Sequence, residues 1–148
     1  NNQLPNGAGY VTTSGWTPSN DGPGSGLNAD LLDNLEADDI LTLRQNLKNA
    51  TYTLALSDIG KSIYHSNGTA YTWTIPPNSS VAYPLGTAIT MINDASGSVN
   101  ITIARGSGVA LILGGDGTNQ NCTLAQYGVA TIIKVGTDKW YCSGNGVS

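Results

Sequence analysis

Apolar and polar residues alternate in short runs along the last two thirds of the chain. In one such run Tyr71, Trp73 and Ile75 fall on one side, whereas Thr72 and Thr74 fall on the other. A period of two residues is that of a β-strand with one face in a core and one face in water. Similar runs, rich in Val, Ile, Thr, Tyr and Trp, recur about every ten residues with Gly, Asn, Asp and Ser between them. The pattern predicts an all-β domain over residues 51–148.

The same alternation predicts where the individual strands of this domain lie. They are predicted at 51–55, 62–66, 70–75, 87–92, 98–104, 109–113, 121–124, 129–135 and 139–143. Turn-forming residues separate them at 67–68, 76–78, 116–117 and 136–138, and such residues are typical of hairpins and tight turns. We therefore expect an antiparallel β-sandwich.

Between residues 27 and 48 the apolar spacing changes to three and four residues, which is typical of an amphipathic helix. Asp33 and Glu36 resemble a capping box. We predict two helical segments, the second over 37–47. A helix this short is marginal alone in water, so its apolar face must pack either on its own domain or on other copies of the chain. The residues of that face are Leu31, Leu35, Ile40, Leu43 and Leu47.

Residues 1–26 contain three of the six prolines and six of the nineteen glycines, with few aliphatic side chains. Such a segment buries too little apolar surface to offset its ordering entropy, so we predict an extended arm. Tyr10 and Trp16 are suited to anchor the arm on a partner. The predicted organisation is thus an arm (1–26), a helical neck (27–50) and a β head (51–148). The start at Asn1, without methionine or a signal-like sequence, leads us to expect a fragment of a longer protein.

Charge and hydropathy exclude two classes of partner. Only 11% of the residues are charged and the net charge is −4, so a basic surface for nucleic acid is not expected. The longest apolar runs, such as 109–113, have five or six residues. A membrane-spanning helix needs about 20, so we expect no membrane insertion.

Catalytic chemistry is poorly represented in the β domain. Its carboxylates, Asp58, Asp94, Asp116 and Asp138, all lie in turn contexts, and His65 is the single histidine. Neither a nucleophile triad nor a carboxylate pair is recognisable, and His65 is interpreted as an ordinary strand residue. The oxygen-rich run at 116–119 lacks the pattern of a calcium loop. We predict no enzyme activity, no cofactor and no metal.

The two cysteines, Cys122 and Cys142, lack the spacing of a metal or redox motif. We expect both to be reduced and buried, as free cysteines usually are. Whether they pair is left open by the sequence.

Aromatic side chains beside Asn, Asp and Thr are the usual elements of a sugar-binding surface. Most aromatics here are expected in the core, since the chain has no Phe. Strand alternation places Trp140 and Cys142 on one face and turns the residue between them to the other. The candidate contacts for a bound sugar are Tyr64, Tyr83, Tyr141, Asp116 and Asn119.

Residues 24–33 read GSGLNADLLD and resemble the GSGLDADLLDG-type motif that recurs in tail fibres of bacteriophages and prophages. Asn34 stands where that motif usually has Gly. Further along, the chain resembles the small β domain at the ends of such fibres, in short matches at 58–61, 74–80, 84–87, 126–128 and 134–140 and at Leu124.

The resemblance implies a homotrimeric, non-enzymatic fibre tip on the virion, made in the bacterial cytoplasm. Its partners would be a host surface glycan or outer-membrane component and other virion tail proteins, with the candidate sugar contacts as receptor contacts and the leucine face as the trimer contact. One alternative is a structural virion protein (fibre shaft, capsid decoration or adaptor) that contacts only other virion proteins. Another, an enzyme that depolymerises host polysaccharide, is disfavoured by the missing carboxylate pair.

Overall fold

Nine β-strands and one short 3₁₀ helix make up residues 42–148, the part of the chain that this computed structural model describes. Residues 43–148 form one compact unit. The strands are β1 (Arg44–Leu47), β2 (Tyr52–Thr53), β3 (Lys61–His65), β4 (Thr72–Ile75), β5 (Ala88–Asn93), β6 (Ile101–Arg105), β7 (Ala110–Leu113), β8 (Cys122–Gly136) and β9 (Lys139–Val147). The 3₁₀ helix is Leu56–Asp58.

The first six strands form two parallel ladders from alternate strands. One ladder is β1-β3-β5 and the other is β2-β4-β6. The chain therefore passes from one ladder to the other at each step, and strands next to each other in sequence do not pair. Parallel neighbours require such long connections, because a two-residue turn can join only antiparallel strands.

The long strand β8 connects the two ladders. Its residues 129–133 pair antiparallel with β5, and its residues 122–124 pair antiparallel with β6. Its other edge pairs antiparallel with β9, which in turn pairs with β7 in parallel. All nine strands thus belong to a single curled sheet.

The curl encloses an apolar core. Trp73 and Trp140 are its two largest fully buried side chains. The other fully buried apolar side chains include Leu54, Ile63, Ile75, Ile89, Met91, Ile101, Ile103, Leu111, Leu124 and Ile132. A buried tryptophan contributes about 3–5 kcal/mol relative to alanine in cores of this kind, so the two tryptophans supply much of the bulk that a chain without Phe needs. Cys122 and Cys142 are free and buried, as predicted.

Buried polar side chains hold the connections between the ladders. The Asp58 carboxylate, fully buried, accepts hydrogen bonds from Asn46 Nδ2 (2.7 Å), the Tyr52 hydroxyl (2.9 Å) and the Ala55 amide (2.8 Å). The amide of buried Asn93 donates to the carbonyls of Val99 and Leu124, both at 3.0 Å. The bonds to the Ala55 amide and the Val99 carbonyl satisfy loop groups that have no partner in the ladders.

The prediction of a mainly β domain is confirmed, but three details are wrong. The strands form one curled sheet with parallel ladders instead of an antiparallel sandwich. Residues 44–47, predicted as the end of a helix, form strand β1. Residues 121–124 and 129–135 belong to one strand instead of two. The predicted turn at 136–138 is confirmed as the β8–β9 hairpin turn, with Gly136 opposite Lys139.

The predicted arm, the first helical segment and three residues of the leucine face (Leu31, Leu35 and Ile40) lie outside the described residues. Leu43 and Leu47 lie within them and are 54% and 55% exposed. Because Leu47 is in a strand, a helical trimer contact cannot include it.

Candidate functional site

Two exposed features of the curled sheet are candidates for binding. The first, which we name the outer face, consists of the outward-facing side chains of β5, β8 and β9. They are Ala88, Thr90, Ile92, Val129, Thr131, Ile133, Val135, Tyr141 and Ser143. Cross-strand pairing holds them together, with Ile133 opposite both Ala88 and Tyr141.

Most side chains of the outer face are apolar, and the one charged side chain on the outward side of β5, β8 and β9 is Lys139, beside Tyr141. Val129, Ile133, Val135 and Tyr141 are 41–49% exposed. A shallow hollow lies on it, between Thr131, Ser143 and Asn145, where Gly144 contributes no side chain. Contiguous exposed apolar side chains of this kind mark a surface for contact with another molecule.

The second feature, which we name the depression, is a shallow cavity of about 560 Å³. It lies at the end of β6 and the start of β7 and is lined by Arg105, the turn 106–108, Asn119 and Asn121. Arg105 Nη1 donates to Asn119 Oδ1 at 2.8 Å. The depression is thus polar, with a cationic side chain at one wall.

The structure separates the five predicted contacts. Tyr141 projects from the outer face, and Lys139 Nζ lies 5.8 Å from its ring centroid. Tyr64 is on β3, and its hydroxyl donates to Asp94 at 2.6 Å, a bond that raises the pKa of Tyr64. Two strands lie between β3 and β9, and the register aligns Tyr64 with Asn145, four residues along β9 from Tyr141. At the usual strand spacing and rise, the two tyrosines are roughly 20 Å apart.

Of the polar candidates, Asn119 lines the depression. Asp116 lies in the adjoining turn, where its carboxylate accepts from the Thr118 amide at 3.0 Å and from the Thr118 hydroxyl. This turn role agrees with the interpretation of 116–117 as a turn rather than a calcium loop.

Tyr83 was predicted as a receptor contact, and its burial contradicts this. The side chain is only 3% exposed and packs edge-on against Trp140, with ring centroids 5.4 Å apart. Its hydroxyl is buried without a hydrogen-bond partner, and burial raises its pKa. Residues 81–86 form no strand, so alternation gave no guide to where this ring points.

Two further titratable side chains, both buried, have structural roles. His65 is fully buried, and its Nδ1 and Nε2 lie 2.9 Å from Asn93 Oδ1 and Asn67 Oδ1. The buried Lys134 Nζ donates to Asn78 Oδ1 and to the Tyr83 carbonyl.

Both thiols are shielded as well. Burial raises the pKa of Cys142 to about 12 and also raises the pKa of Cys122. Because the thiolate is the nucleophile, neither cysteine is poised for covalent chemistry. Within residues 42–148 no group of His, Cys, Asp or Glu is placed to hold a metal ion.

Sequence reasoning missed two exposed residues. Arg105 was not singled out, although a cation at the end of an apolar strand, before the Gly-Ser-Gly run at 106–108, was a usable signal. Tyr127 is 74% exposed at a register shift in β8, with φ of 61°. A bulge that turns an aromatic outward has no counterpart in simple alternation.

Comparisons of this chain with protein-family models, curated proteins and solved structures find no match. Among the described residues there is no helix with the length and apolar character needed to cross a membrane.

Proposed function

We propose that this chain is the tip of a bacteriophage tail fibre, a homotrimer on the virion that binds a glycan or outer-membrane component of the host bacterium without catalysis. The observation that carries the proposal is the depression, where Arg105, Asn119 and Asn121 line a shallow polar cavity on a rigid β domain. The tail-fibre motif at 24–33 supplies the biological setting.

A shallow polar cavity suits reversible contact with a sugar, since its hydrogen bonds fix orientation without enclosing the ligand. Affinity at one such site is expected to be modest. Three copies per tip and several tips per virion would raise the overall avidity by orders of magnitude, provided that all sites reach one cell surface.

The test uses the full 148-residue chain. Light scattering is expected to give a mass three times the 15.3 kDa of the chain. The fluorescently labelled protein is then mixed with a panel of bacteria, with and without periodate oxidation of their surface glycans, and with heat-unfolded protein as the adhesion control. Retention on at least one strain and loss after oxidation are expected; a monomer that no strain retains would contradict the proposal.

The outer face favours a second candidate, a structural virion module that contacts other virion proteins. Its exposed apolar residues, Val129, Ile133, Val135 and Tyr141, suit a permanent contact better than a reversible one. Under this candidate the labelled protein binds no bacterium but co-sediments with virion tails that lack it, and Ile133→Asp abolishes the co-sedimentation. Leu56→Asp, an equivalent change at an exposed position in the 3₁₀ helix, outside the strands of the outer face, is the matched control.

A further inference from the structure

Several hydrogen-bond donors that line the depression have no partner among the described residues. Asn119 Oδ1 accepts from Arg105 Nη1 and also from the Leu111 amide at 3.0 Å. Asn121 Oδ1 accepts from the Arg105 amide at 3.1 Å. Each of these oxygens is held by a backbone N–H, which can only donate, so the orientation of both side-chain amides is fixed.

The consequence is that both amide NH₂ groups are left available. Within residues 42–148, Nδ2 of Asn119 and Nδ2 of Asn121 donate to no protein group, and neither do the backbone amides of Ser107 and Gly108. The Arg105 guanidinium uses Nη1 and retains further N–H groups. The Oδ1 atoms of both asparagines, by contrast, already accept hydrogen bonds from the protein.

Charge agrees with this arrangement. Arg105 is the one charged residue among the described residues that line the depression. The neighbouring carboxylates Asp116 and Asp138 do not line the depression, and they accept hydrogen bonds from Thr118 and from the Asn78 amide. A ligand that contributes acceptors and negative charge therefore matches the cavity, whereas a neutral sugar has no charge to pair with Arg105 and carries a donor on each hydroxyl.

The lining is also rigid. The turn at 106–109 is closed by a bond from the Val109 amide to the Gly106 carbonyl (3.1 Å) and tied to β4 by a bond from the Gly106 amide to the Ile75 carbonyl (2.8 Å). A Cβ at Gly106 would lie 2.8 Å from that same carbonyl oxygen, and Gly108 has φ of +77°. Little ordering entropy is lost when a ligand binds such a preformed turn.

We propose that the depression binds the anionic group of an acidic saccharide, with Arg105 pairing the anion and the amides of Ser107, Gly108, Asn119 and Asn121 donating to its oxygens. This inference rests on the proposed function and names its ligand class. Guanidinium groups pair well with both carboxylate and phosphate oxygens, so a uronic acid and a sugar phosphate share the required chemistry.

The test is a titration of the ¹⁵N-labelled full chain, followed by NMR at constant ionic strength. The probes are sodium glucuronate, glucose 1-phosphate and glucose. We expect both anions to shift the amides of Ser107 and Gly108 and the side-chain amides of Asn119 and Asn121, and the tighter one identifies the source of the anion. Equal shifts with glucose, or no shifts with either anion, would overturn the inference.

Arg105→Gln is expected to weaken binding of the tighter anion at least tenfold. Lys61→Gln removes the same charge from a residue outside the depression and is expected to bind as the unchanged protein does. Ser107→Glu places a like charge at the exposed turn while leaving the contacts of Arg105 in place, and it is expected to abolish binding even if Arg105→Gln perturbs the fold. Wild-type affinity in both Arg105→Gln and Ser107→Glu would refute the assignment.

Whole-cell retention separates this inference from the proposed function. If the chain binds bacteria but the anions cause no shifts in the depression, the ligand class is wrong and the fibre-tip proposal stands. If the anions bind in the depression but no bacterium retains the chain, the site is supported and the fibre-tip proposal fails.

Discussion

The parallel ladders and the β8–β9 hairpin differ in how the N–H and C=O groups of their backbone find hydrogen-bond partners. The ladders are joined by long connections, and buried side chains such as Asp58 and Asn93 form hydrogen bonds with the backbone of those connections. The hairpin instead brings its two strands together where side chains are missing: a Cβ at Gly144 would lie 2.1 Å from the Val129 carbonyl oxygen.

The difference follows from connection length. A tight antiparallel turn leaves few backbone groups without a ladder partner, whereas each crossing between parallel ladders leaves several. The connections between parallel ladders therefore require buried polar side chains as hydrogen-bond partners. The hairpin instead requires glycine, because its two strands lie too close together for a side chain. Substitutions of these two kinds of residue test the comparison.

The largest effect is expected for Gly144→Ala. The added methyl group would meet the Val129 oxygen at 2.1 Å and the Ala130 Cα at 2.6 Å, both in the backbone of the paired strand. Neither atom can move without separating β8 from β9, so we expect a loss of more than about 3 kcal/mol in the free energy of unfolding. Chemical denaturation measures it.

Gly136→Ala is the matched control in the same hairpin. Its nearest neighbour would be the Lys139 Cβ at 3.3 Å, a contact that a small adjustment relieves. We expect the free energy of unfolding to fall by about 1 kcal/mol or less. Equal losses for Gly136→Ala and Gly144→Ala would show that close approach of the strands at Gly144 is unimportant.

The ladder connections are tested by Asp58→Ala. The change leaves the Ala55 amide, the Tyr52 hydroxyl and Asn46 Nδ2 without their buried acceptor, and we expect a loss of about 3 kcal/mol. Asp94→Ala removes a carboxylate that accepts from a tyrosine hydroxyl at the surface. Asp94→Ala should lower the free energy of unfolding by less than about 1 kcal/mol. A similar loss in the two variants would mean that burial of the Asp58 hydrogen bonds contributes no additional stability.

The positions of the strands could be predicted from sequence because alternation is a local property. Trp73, Ile75, Ile101 and Ile103 point inward as predicted. The relative direction of neighbouring strands could not be predicted, because the alternation of apolar and polar residues is the same in parallel and antiparallel pairs. Leu43 and Leu47 misled the prediction of a helix because a spacing of four residues fits both the helical repeat and the two-residue repeat of a strand.

The candidate site was predicted less well, for a related reason. Alternation correctly turned Tyr141 outward and Trp140 inward. The depression, by contrast, is formed by Arg105 and Asn119, residues 14 apart in sequence whose contact depends on how β7 follows β6. Sequence patterns carry no information about such a contact.

Replacement of Tyr52 and of Tyr83 by Phe is expected to change the free energy of unfolding in opposite directions. Tyr52→Phe removes a hydroxyl that donates to buried Asp58 and should cost about 1–2 kcal/mol. Tyr83→Phe removes a buried hydroxyl without a partner and should raise the free energy of unfolding by about 1 kcal/mol. A destabilised Tyr83→Phe variant would show that this hydroxyl finds a partner in solution.

The contribution of Tyr52 depends on pH. Burial, together with the bond to Asp58, raises the pKa of Tyr52 from 10.0 to about 12. A group whose pKa is higher in the folded chain stabilises the fold fully below its unfolded pKa and loses that contribution as pH rises through the folded pKa. The stability difference between the unchanged protein and Tyr52→Phe should therefore be constant below pH 10 and shrink between pH 10 and 12, as measured by denaturation across that range.

The smallest effect is expected on the outer face. Ile133 is 43% exposed, whereas its neighbour Ile132 is fully buried. Threonine keeps the β preference of isoleucine, so each Ile→Thr change reports mainly the lost apolar burial. We expect the free energy of unfolding to fall by about 3 kcal/mol in Ile132→Thr and by less than about 0.5 kcal/mol in Ile133→Thr. Chemical denaturation at one low protein concentration measures both. A loss above about 1.5 kcal/mol for Ile133→Thr would mean that another chain covers this side chain in solution, and the outer face would then be a permanent contact surface, as the structural candidate requires.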